Sequence, residues 1–330
     1  ISVKEKDESP PSPQIYECTV SLSNGKTRTI EIVRQRDKKE SANRAVLIFP
    51  GRSATGVSDD PQAREYAGNN DKNIKFDVYT VTLGGYPKTT GVDKGVETTE
   101  TTCIQDANAV VNFLKNSGYK EIALHGNGIG CVPVLAAAQL HADVVKAVVL
   151  DRGFTSAKEV VVNAVRNFFS RFGLARWVPE PILRGFGGSA FPVSLKVDGV
   201  GGEIITNQMD NSERIRRVKT PIAFVEANDD QWMSRTNRSG AKISFSQDLQ
   251  RLHIRQYPDF KDKDFLLTLP GNHGAPLPQN SLVDWVDRMM RMRADVELPE
   301  GEAGDTSSSS SSSSSLPSSP HSLSSSSILE

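Results

Sequence analysis

Short apolar runs alternate with amphipathic stretches along most of the chain, and this alternation predicts alternating strands and helices. The predicted strands are Tyr16–Leu22, Thr27–Val33, Ala45–Phe49, Phe76–Leu83, Glu121–Leu124, Lys146–Leu150, Ile222–Glu226 and Phe265–Leu269. The predicted helices are Thr101–Lys115, Cys131–Leu140 and Ser281–Arg293. Such alternation favours βαβ crossovers and a mostly parallel sheet with helices on its faces. The fold class is therefore predicted to be α/β.

The first two predicted strands differ from the others because only a short turn separates them. Asn24-Gly25 stands between them, and this residue pair favours a tight type I′ hairpin turn. The third strand, Ala45–Phe49, is a continuous apolar run, which is typical of a strand buried on both faces. We therefore expect an antiparallel hairpin that leads into the parallel part of the sheet.

Both ends of the chain differ in composition from the middle. Residues 1–13 are polar and contain three prolines, which is typical of a linker. From Glu297 the chain becomes acidic and Gly-containing, and an unbroken serine run follows over Ser307–Ser315. Such a segment has little to bury, so residues 297–330 are predicted to be a disordered Ser-rich tail. The globular domain is predicted over residues 14–296.

One internal region breaks the alternation. Residues 154–202 are rich in aromatic residues, Arg and Gly, with helical spacing at first and loop-like sequence later. We interpret this region as a cap insertion over one edge of the sheet. Ordinary helices that pack by their aromatic faces would give the same pattern.

Composition excludes several function classes. The chain has 39 Lys+Arg against 40 Asp+Glu and a net charge of −1, which argues against a nucleic-acid-binding surface. Its most apolar run, Val144–Leu150, is interrupted by Lys146 and is too short to cross a bilayer. Three scattered histidines, His141, His253 and His321, lack the sequence spacing that metal ligands have. We therefore expect no metal, no cofactor, no nucleic acid and no membrane span.

Cysteine usage and the first residue bear on localisation. Three scattered cysteines are too few for a disulfide framework, and unpaired cysteines fit a reducing compartment. This favours the cytoplasm. The chain begins at Ile1 and not at Met, so a removed N-terminal leader or anchor is compatible with the sequence.

The most informative segment runs from Ile122 to Cys131, where a predicted strand enters a turn containing Gly126, Gly128 and Gly130 and a predicted helix leaves it. One chemistry that uses this arrangement is the Gly-x-Ser-x-Gly nucleophile elbow. Another is the Gly-x-Gly-x-x-Gly dinucleotide fingerprint, with Asp151 as the ribose-binding carboxylate. Its third glycine falls on Cys131, which weakens that interpretation. A purely structural glycine turn is the third alternative.

Segments elsewhere in the chain favour the elbow. Together with the turn they resemble the α/β-hydrolase superfamily, especially small thioesterase-like serine hydrolases, over roughly residues 40–293. The segments are Pro50-Gly51-Arg52, Asp106-Ala107, Leu150–Ser156 with Gly153 in place of a proline, Thr220–Asp230 and Gly271–Gly274. The resemblance implies an α/β-hydrolase-like fold, a nucleophile position at Gly128, a triad acid at Asp230 and a triad histidine at His273. It also implies that the backbone N–H groups of Arg52 and Ile129 form an oxyanion-type site.

The sequence departs from that family at the residue that matters most. Gly128 has no side chain, whereas acyl transfer through a covalent intermediate needs a hydroxyl or thiol there. Cys131 lies inside the following helix, where a buried small hydrophobe is expected. The neighbouring acids Asp229 and Asp230 also fit a capping role for Gln231–Met233. His125, next to the turn, fits a packed and hydrogen-bonded residue as well as a functional one.

Two function classes follow from these residues. The first is a non-catalytic α/β-hydrolase-like protein that binds a small acyl-type ligand or a protein partner. The alternative is an active ester, thioester or amide hydrolase, either through a water-based mechanism with His273 and Asp230 or in a form of the chain with serine at position 128. A dinucleotide-binding protein is the least favoured interpretation.

Overall fold

The computed structural model describes most of the region predicted to be globular. The chain divides into two units, Ile1–Asp295 and Val296–Glu330, and all described residues lie in the first. The predicted Ser-rich tail, 297–330, therefore lies outside the described residues. The structure describes residues 3–6, 14–21, 25, 27–35, 43–51, 61–68, 76–83, 98–171, 193–196, 203–206, 209–230, 233–236, 242–272 and 281–292.

Strands and helices alternate as the hydrophobic pattern predicts. In chain order the strands are β1 (Val3–Lys6), β2 (Gln14–Ser21), β3 (Thr27–Gln35), β4 (Arg44–Phe49), β5 (Asp77–Thr82), β6 (Thr98–Thr99), β7 (Glu121–Asn127), β8 (Val145–Asp151), β9 (Val193–Lys196), β10 (Glu203–Thr206), β11 (Ile222–Ala227), β12 (Ser234–Thr236), β13 (Lys242–Ser244) and β14 (Phe265–Leu269). The helices are α1 (Pro61–Gly68), α2 (Glu100–Asn116), α3 (Cys131–Leu140), α4 (Ala157–Arg171), α5 (Asn211–Ile215), α6 (Phe245–Gln256) and α7 (Ser281–Met292).

Nine of the described strands form one sheet in the order β1-β2-β3-β5-β4-β7-β8-β11-β14. From β5 to β14 every neighbouring pair is parallel, whereas β1, β2 and β3 are joined to each other and to β5 by antiparallel pairing. The prediction of an α/β fold with a mostly parallel sheet and an N-terminal antiparallel hairpin is confirmed. In such a sheet, ligands bind beyond the carboxyl ends of the parallel strands.

The hairpin itself joins β2 and β3, and Gly25 adopts a φ of +79° in the connection. A left-handed backbone of this kind favours glycine, as the Asn24-Gly25 pattern predicts. The interpretation of residues 1–13 as a linker differs from the structure over Val3–Lys6, which form β1 and pair antiparallel with β2. Short edge strands that carry Lys and Glu are hard to recognise from sequence because they have no apolar face to bury.

The core consists of two apolar layers, one on each face of the sheet. Helices α2, α3 and α6 cover one face, and α1 and α7 cover the other. Strand β4 contributes to both layers, since Leu47 and Phe49 face the first and Val46 and Ile48 the second. The prediction that this strand is buried on both faces is confirmed.

A helix fills the beginning of the region interpreted as a cap insertion. Helix α4 spans Ala157–Arg171, and further along β9 and β10 pair antiparallel while β10 also pairs with β6. Residues 172–192 and 197–202 lie outside the described residues. The assignment of 154–202 as a cap therefore stays a prediction.

Two properties of the described residues concern membrane spans and metal sites. Among the described helices, none combines the length and apolar character that a bilayer span requires. Within the same described ranges, no group of three or more His, Cys, Asp or Glu side chains could hold a metal ion.

Candidate active site

The turn after β7 carries the nucleophile position that the sequence predicts. A short 3₁₀ turn, Gly128–Gly130, follows the strand directly and runs into α3. Gly128 adopts a φ of +52°, and a Cβ built on it would meet none of the described residues within 4 Å. As far as the described part of the chain shows, a side chain here has room at the carboxyl end of the sheet.

The glycines on either side of Gly128 are required because other backbone atoms approach them too closely for a side chain. A Cβ on Gly126 would lie 2.6 Å from the carbonyl oxygen of Gly130. A Cβ on Gly130 would collide with the carbonyl oxygen of Phe49 and lie 2.9 Å from that of Pro50. Against the described residues, the turn is thus closely packed at both flanking glycines and uncrowded at Gly128.

This contrast gives a stability prediction. We expect Gly130→Ala to lower the free energy of unfolding by about 3 kcal/mol or more, because the new Cβ must displace the backbone at the end of β4. Gly128→Ala should cost only about 1–2 kcal/mol, the strain of a left-handed backbone in a non-glycine residue. Chemical denaturation of both variants measures the difference. Equal losses, or a larger loss for Gly128→Ala, would contradict the described packing.

The two predicted oxyanion-type donors are the backbone N–H groups of Ile129, within the turn, and of Arg52, which follows β4 in the sequence. Ile129 is in the first turn of the helical run, where backbone N–H groups have no intrahelical acceptor. On the other side, Gly51 follows β4, and a Cβ on it would lie 2.5 Å from Oδ1 of Asn127. Arg52, the second predicted donor, lies outside the described residues.

The predicted acid, Asp230, lies three residues beyond the end of β11 and is only 2% exposed. Its Oδ1 accepts a hydrogen bond from the backbone N–H of Met233 at 3.0 Å, and its carbonyl oxygen accepts one from the Ser234 hydroxyl. The side chain thus accepts from a backbone N–H three residues ahead, while Gln231 and Trp232 of the segment that Asp230 was expected to cap lie outside the described residues.

The loop of Asp230 is tied to the loop that leads to His273. The backbone N–H of Asn228 donates to the carbonyl of Leu269 at 2.9 Å, and that of Asp229 donates to the carbonyl of Gly271 at 2.8 Å. His273 itself lies outside the described residues. The predicted contact between Asp230 and His273 thus stays a prediction.

Cys131 is the nearest thiol to the turn, and it is fully buried. Its Sγ donates to the carbonyl oxygen of Gly126 at 3.1 Å. Burial, together with the negative charge of Asp151, raises the pKa of this thiol well above its ordinary value. The thiolate that a nucleophile requires is therefore disfavoured, in agreement with the interpretation of Cys131 as a packing residue.

A buried polar cluster that the sequence did not predict lies behind the turn, around Asp151. The Asp151 carboxylate accepts from Nε and Nη2 of Arg152 at 2.8 and 2.6 Å. It also accepts from the side-chain amides of Gln62 at 2.8 Å and of Asn127 at 3.0 Å. Burial alone would raise the pKa of Asp151, but His125 and Arg152 outweigh it and the pKa is lowered.

These contacts argue against the ribose-binding role that the dinucleotide interpretation gives to Asp151. A ribose-binding carboxylate must reach a ligand, whereas the Asp151 side chain is fully buried and is bound by three neighbours. The dinucleotide interpretation of the glycine turn loses its acidic residue for this reason. The contacts of Asp151 with Gln62 and Asn127 join residues 89 and 24 positions apart, and no local signal in the chain could have found them.

His125 belongs to the same cluster and is buried completely. Its Nδ1 is 3.1 Å from the hydroxyl of Tyr66, and its Nε2 is 3.9 Å from Oδ2 of Asp151, beyond hydrogen-bond distance. This histidine is a packed, hydrogen-bonded residue, one of the two roles that the sequence allows.

Comparisons with known proteins agree with this architecture. The fold is similar to the esterase Pf2001 of Pyrococcus furiosus, with a TM-score of 0.52 and 12% identity over 87% of this chain and 96% of that one. It is also similar to Est1E of Butyrivibrio proteoclasticus, with a TM-score of 0.51 and 14% identity over 84% and 98% of the two chains. An acetyl xylan esterase of Paenibacillus sp. R4 gives a TM-score of 0.50 at 13% identity, covering 87% and 88%. No protein-family model and no curated protein sequence matches the chain.

Proposed function

Because this chain has the α/β-hydrolase fold, we propose that it is a hydrolase-like protein without a nucleophile, which binds a small acyl-type ligand and does not hydrolyse it. The observation that carries the proposal is Gly128. It stands at the open position of the turn between β7 and α3, where a side chain would have room but none is present. Covalent acyl transfer requires a hydroxyl or thiol at that point.

The surroundings of the turn argue against a substitute nucleophile at Cys131. Cys131 is buried and its thiol faces the Gly126 carbonyl, so it does not replace the missing hydroxyl. Removal of the serine from such a triad leaves only about 10³–10⁴-fold catalysis over water, from the oxyanion donors and binding. We expect the remaining residues to bind a ligand far better than they transform it.

The acid and the histidine complete the proposed pocket. The hydrogen bonds from Asn228 and Asp229 to the loop after β14 support a position of His273 beside Asp230. In the proposed site the N–H of Ile129 and that of Arg52 donate to the carbonyl oxygen of the ligand. An ester, a thioester or the corresponding carboxylate offers that oxygen, and this defines the acyl-type ligand class.

A direct comparison of hydrolysis rates tests the proposal. The parent protein should hydrolyse p-nitrophenyl butyrate no faster than a His273→Ala variant at equal concentration, because Gly128 gives His273 no hydroxyl or thiol to activate. A spectrophotometric progress curve for each protein, corrected for the buffer blank, gives both rates. Saturable turnover that His273→Ala abolishes would instead favour an active hydrolase that uses a water-based mechanism.

A further inference from the structure

We propose that Glu226 is a positioning residue, whose buried carboxylate fixes the turn that carries Asp230, the proposed triad acid. Glu226 lies near the carboxyl end of β11, four residues before Asp230, and is 6% exposed. Its carboxylate joins the two segments that flank this turn, β14 and the start of α6. The inference rests on the proposed function in one respect, since that function gives Asp230 its role in the pocket.

The first flanking segment is strand β14. Glu226 and Thr268 are cross-strand neighbours in the parallel pairing of β11 with β14, and the Thr268 hydroxyl donates to Oε1 of Glu226 at 2.9 Å. Further along, the backbone N–H of Asp229 donates to the carbonyl of Gly271 at 2.8 Å. The side-chain bond to Thr268 therefore holds the two strands together just before the turn of Asp230 begins.

The second flanking segment is the start of α6. The hydroxyl of Ser244, the N-cap of that helix, donates to Oε2 of Glu226, and Nε2 of Gln247 donates to Oε1 at 3.0 Å. The Ser244 oxygen in turn accepts the backbone N–H of Gln247 at 3.0 Å. A carboxylate can only accept, so it sets the direction of the Ser244 hydroxyl. Negative charge is favoured at a helix N-terminus, which helps to accommodate this carboxylate inside the protein.

Strands β12 and β13 connect the start of α6 back to Asp230. Ser244 ends β13 and pairs with Ser234 in β12, and the backbone N–H of Phe245 donates to the carbonyl of Met233 at 2.8 Å. Met233 and Ser234 both bind Asp230. The Met233 N–H donates to its Oδ1 at 3.0 Å, and the Ser234 hydroxyl donates to its carbonyl oxygen. A ring of hydrogen bonds therefore runs from the carboxylate in β11 to the proposed acid and returns along the chain.

Substitutions at position 226 separate the hydrogen bonds of this ring from its charge. Glutamine has the same shape, and its amide oxygen can accept from Thr268 and Gln247 while its NH₂ donates to Oγ of Ser244. Alanine leaves these three donors without their acceptor. Because hydrogen bonds fix the turn, Glu226→Gln should retain the position of Asp230 and Glu226→Ala should lose it.

Amide hydrogen exchange of the parent protein and its variants tests the positioning role independently of catalysis. Glu226→Ala should speed exchange at the Asp229 and Met233 amides by roughly 10-fold, because the hydrogen bonds that close the turn open locally. Glu226→Gln should restore nearly the parent rates. The matched control is Asp264→Ala, which removes another buried carboxylate, one that accepts the N–H of Ile222 at 3.0 Å at the opposite end of β11. It should leave both amides unchanged.

Activity in the Gly128→Ser background shows whether the turn matters in the pocket. There, Glu226→Ala should lower kcat for p-nitrophenyl butyrate by roughly 10-fold to 10²-fold, with KM little changed, because small displacements of reacting groups are costly. Glu226→Gln should restore kcat, and Asp264→Ala should leave it unchanged. If Glu226→Ala does not fold, Thr268→Val removes one donor of the ring with little change of size, and exchange and kcat should change in the same directions.

The positioning role and the proposed function fail in different ways. If Gly128→Ser is inactive while the Asp229 and Met233 amides respond to Glu226→Ala and recover in Glu226→Gln, the proposed pocket is contradicted and the positioning role stands. Parent exchange rates in Glu226→Ala, or an equal response to Asp264→Ala, refute the positioning role whatever the activity of Gly128→Ser. An active Gly128→Ser protein whose kcat is unchanged by Glu226→Ala refutes it as well.

Discussion

Gly128→Ser is expected to convert the protein into a serine esterase that fluorophosphonates label. A Cβ at position 128 meets no atom of the described segments within 4 Å, so no described residue blocks a serine hydroxyl at the carboxyl end of β7. In the proposed site it would lie where His273 can take its proton and where the Ile129 N–H can stabilise the oxyanion. We expect ester hydrolysis at least about 10²-fold faster than that of the parent protein. This value is conservative, because removal of a nucleophilic serine typically lowers kcat by far more.

The cost of a serine at position 128 is backbone strain. Gly128 holds a φ of +52°, and a serine at that φ is strained by about 1–3 kcal/mol. This strain is a small part of the stability of an ordinary domain. Gly128→Ala is the control for strain without a hydroxyl, and Gly128→Ser/His273→Ala removes the proposed base. A folded Gly128→Ser protein that neither labels nor hydrolyses would mean that more than the hydroxyl has been lost.

Asp106→Ala is expected to cause a large loss of stability. Asp106 in α2 receives Nε of Arg28 at 2.7 Å and forms a second contact with Nη2 of the same guanidinium. Both side chains are almost completely buried, at 1% and 0% exposure. Removal of one partner leaves a buried uncompensated charge, which typically costs about 3–5 kcal/mol.

The chain offers a matched control for this pair on its surface. Arg217 and Glu213 form an ion pair one helical turn apart, with side chains 59% and 56% exposed. Glu213→Ala should change the free energy of unfolding by less than about 0.5 kcal/mol, because solvent screens exposed pairs. Guanidinium denaturation of both variants measures the contrast. Arg28 lies in β3 and Asp106 in α2. Similar losses for Asp106→Ala and Glu213→Ala would show that the Arg28–Asp106 pair does not stabilise the packing of α2 on β3.

Much of the fold could be predicted because its strands are short apolar runs with clear ends. Helix α3 and strand β14 have the predicted bounds, and the other predicted elements differ at their ends by one to three residues. Strand β7 is the instructive case, since it continues to Asn127 although glycine and asparagine are poor strand residues. Register with β4 and β8 on both sides overrides their local preference.

The polar contacts behind the glycine turn could not be predicted in this way. Asn127 and Asp151 are 24 positions apart, and Gln62 and Asp151 are 89 apart. Periodicity reports which face a residue occupies, but it does not report which polar groups meet at the ends of neighbouring strands. The left-handed backbone of Arg152 has no sequence signal either, because such a conformation is expected of glycine and not of arginine. The glycine turn, in contrast, could be predicted because its glycines are close together in the sequence.

Saturation-transfer difference NMR of the parent protein with ethyl butyrate tests the central claim most directly, because one sample reports both binding and turnover. The acyl protons should receive saturation from the protein, and the ester signals should keep their intensity relative to a protein-free blank. The same spectra of His273→Ala show whether any turnover depends on the proposed base. A protein-dependent decay of the ester that His273→Ala abolishes, or the absence of any transfer to the acyl chain, would contradict an acyl-binding protein without a nucleophile.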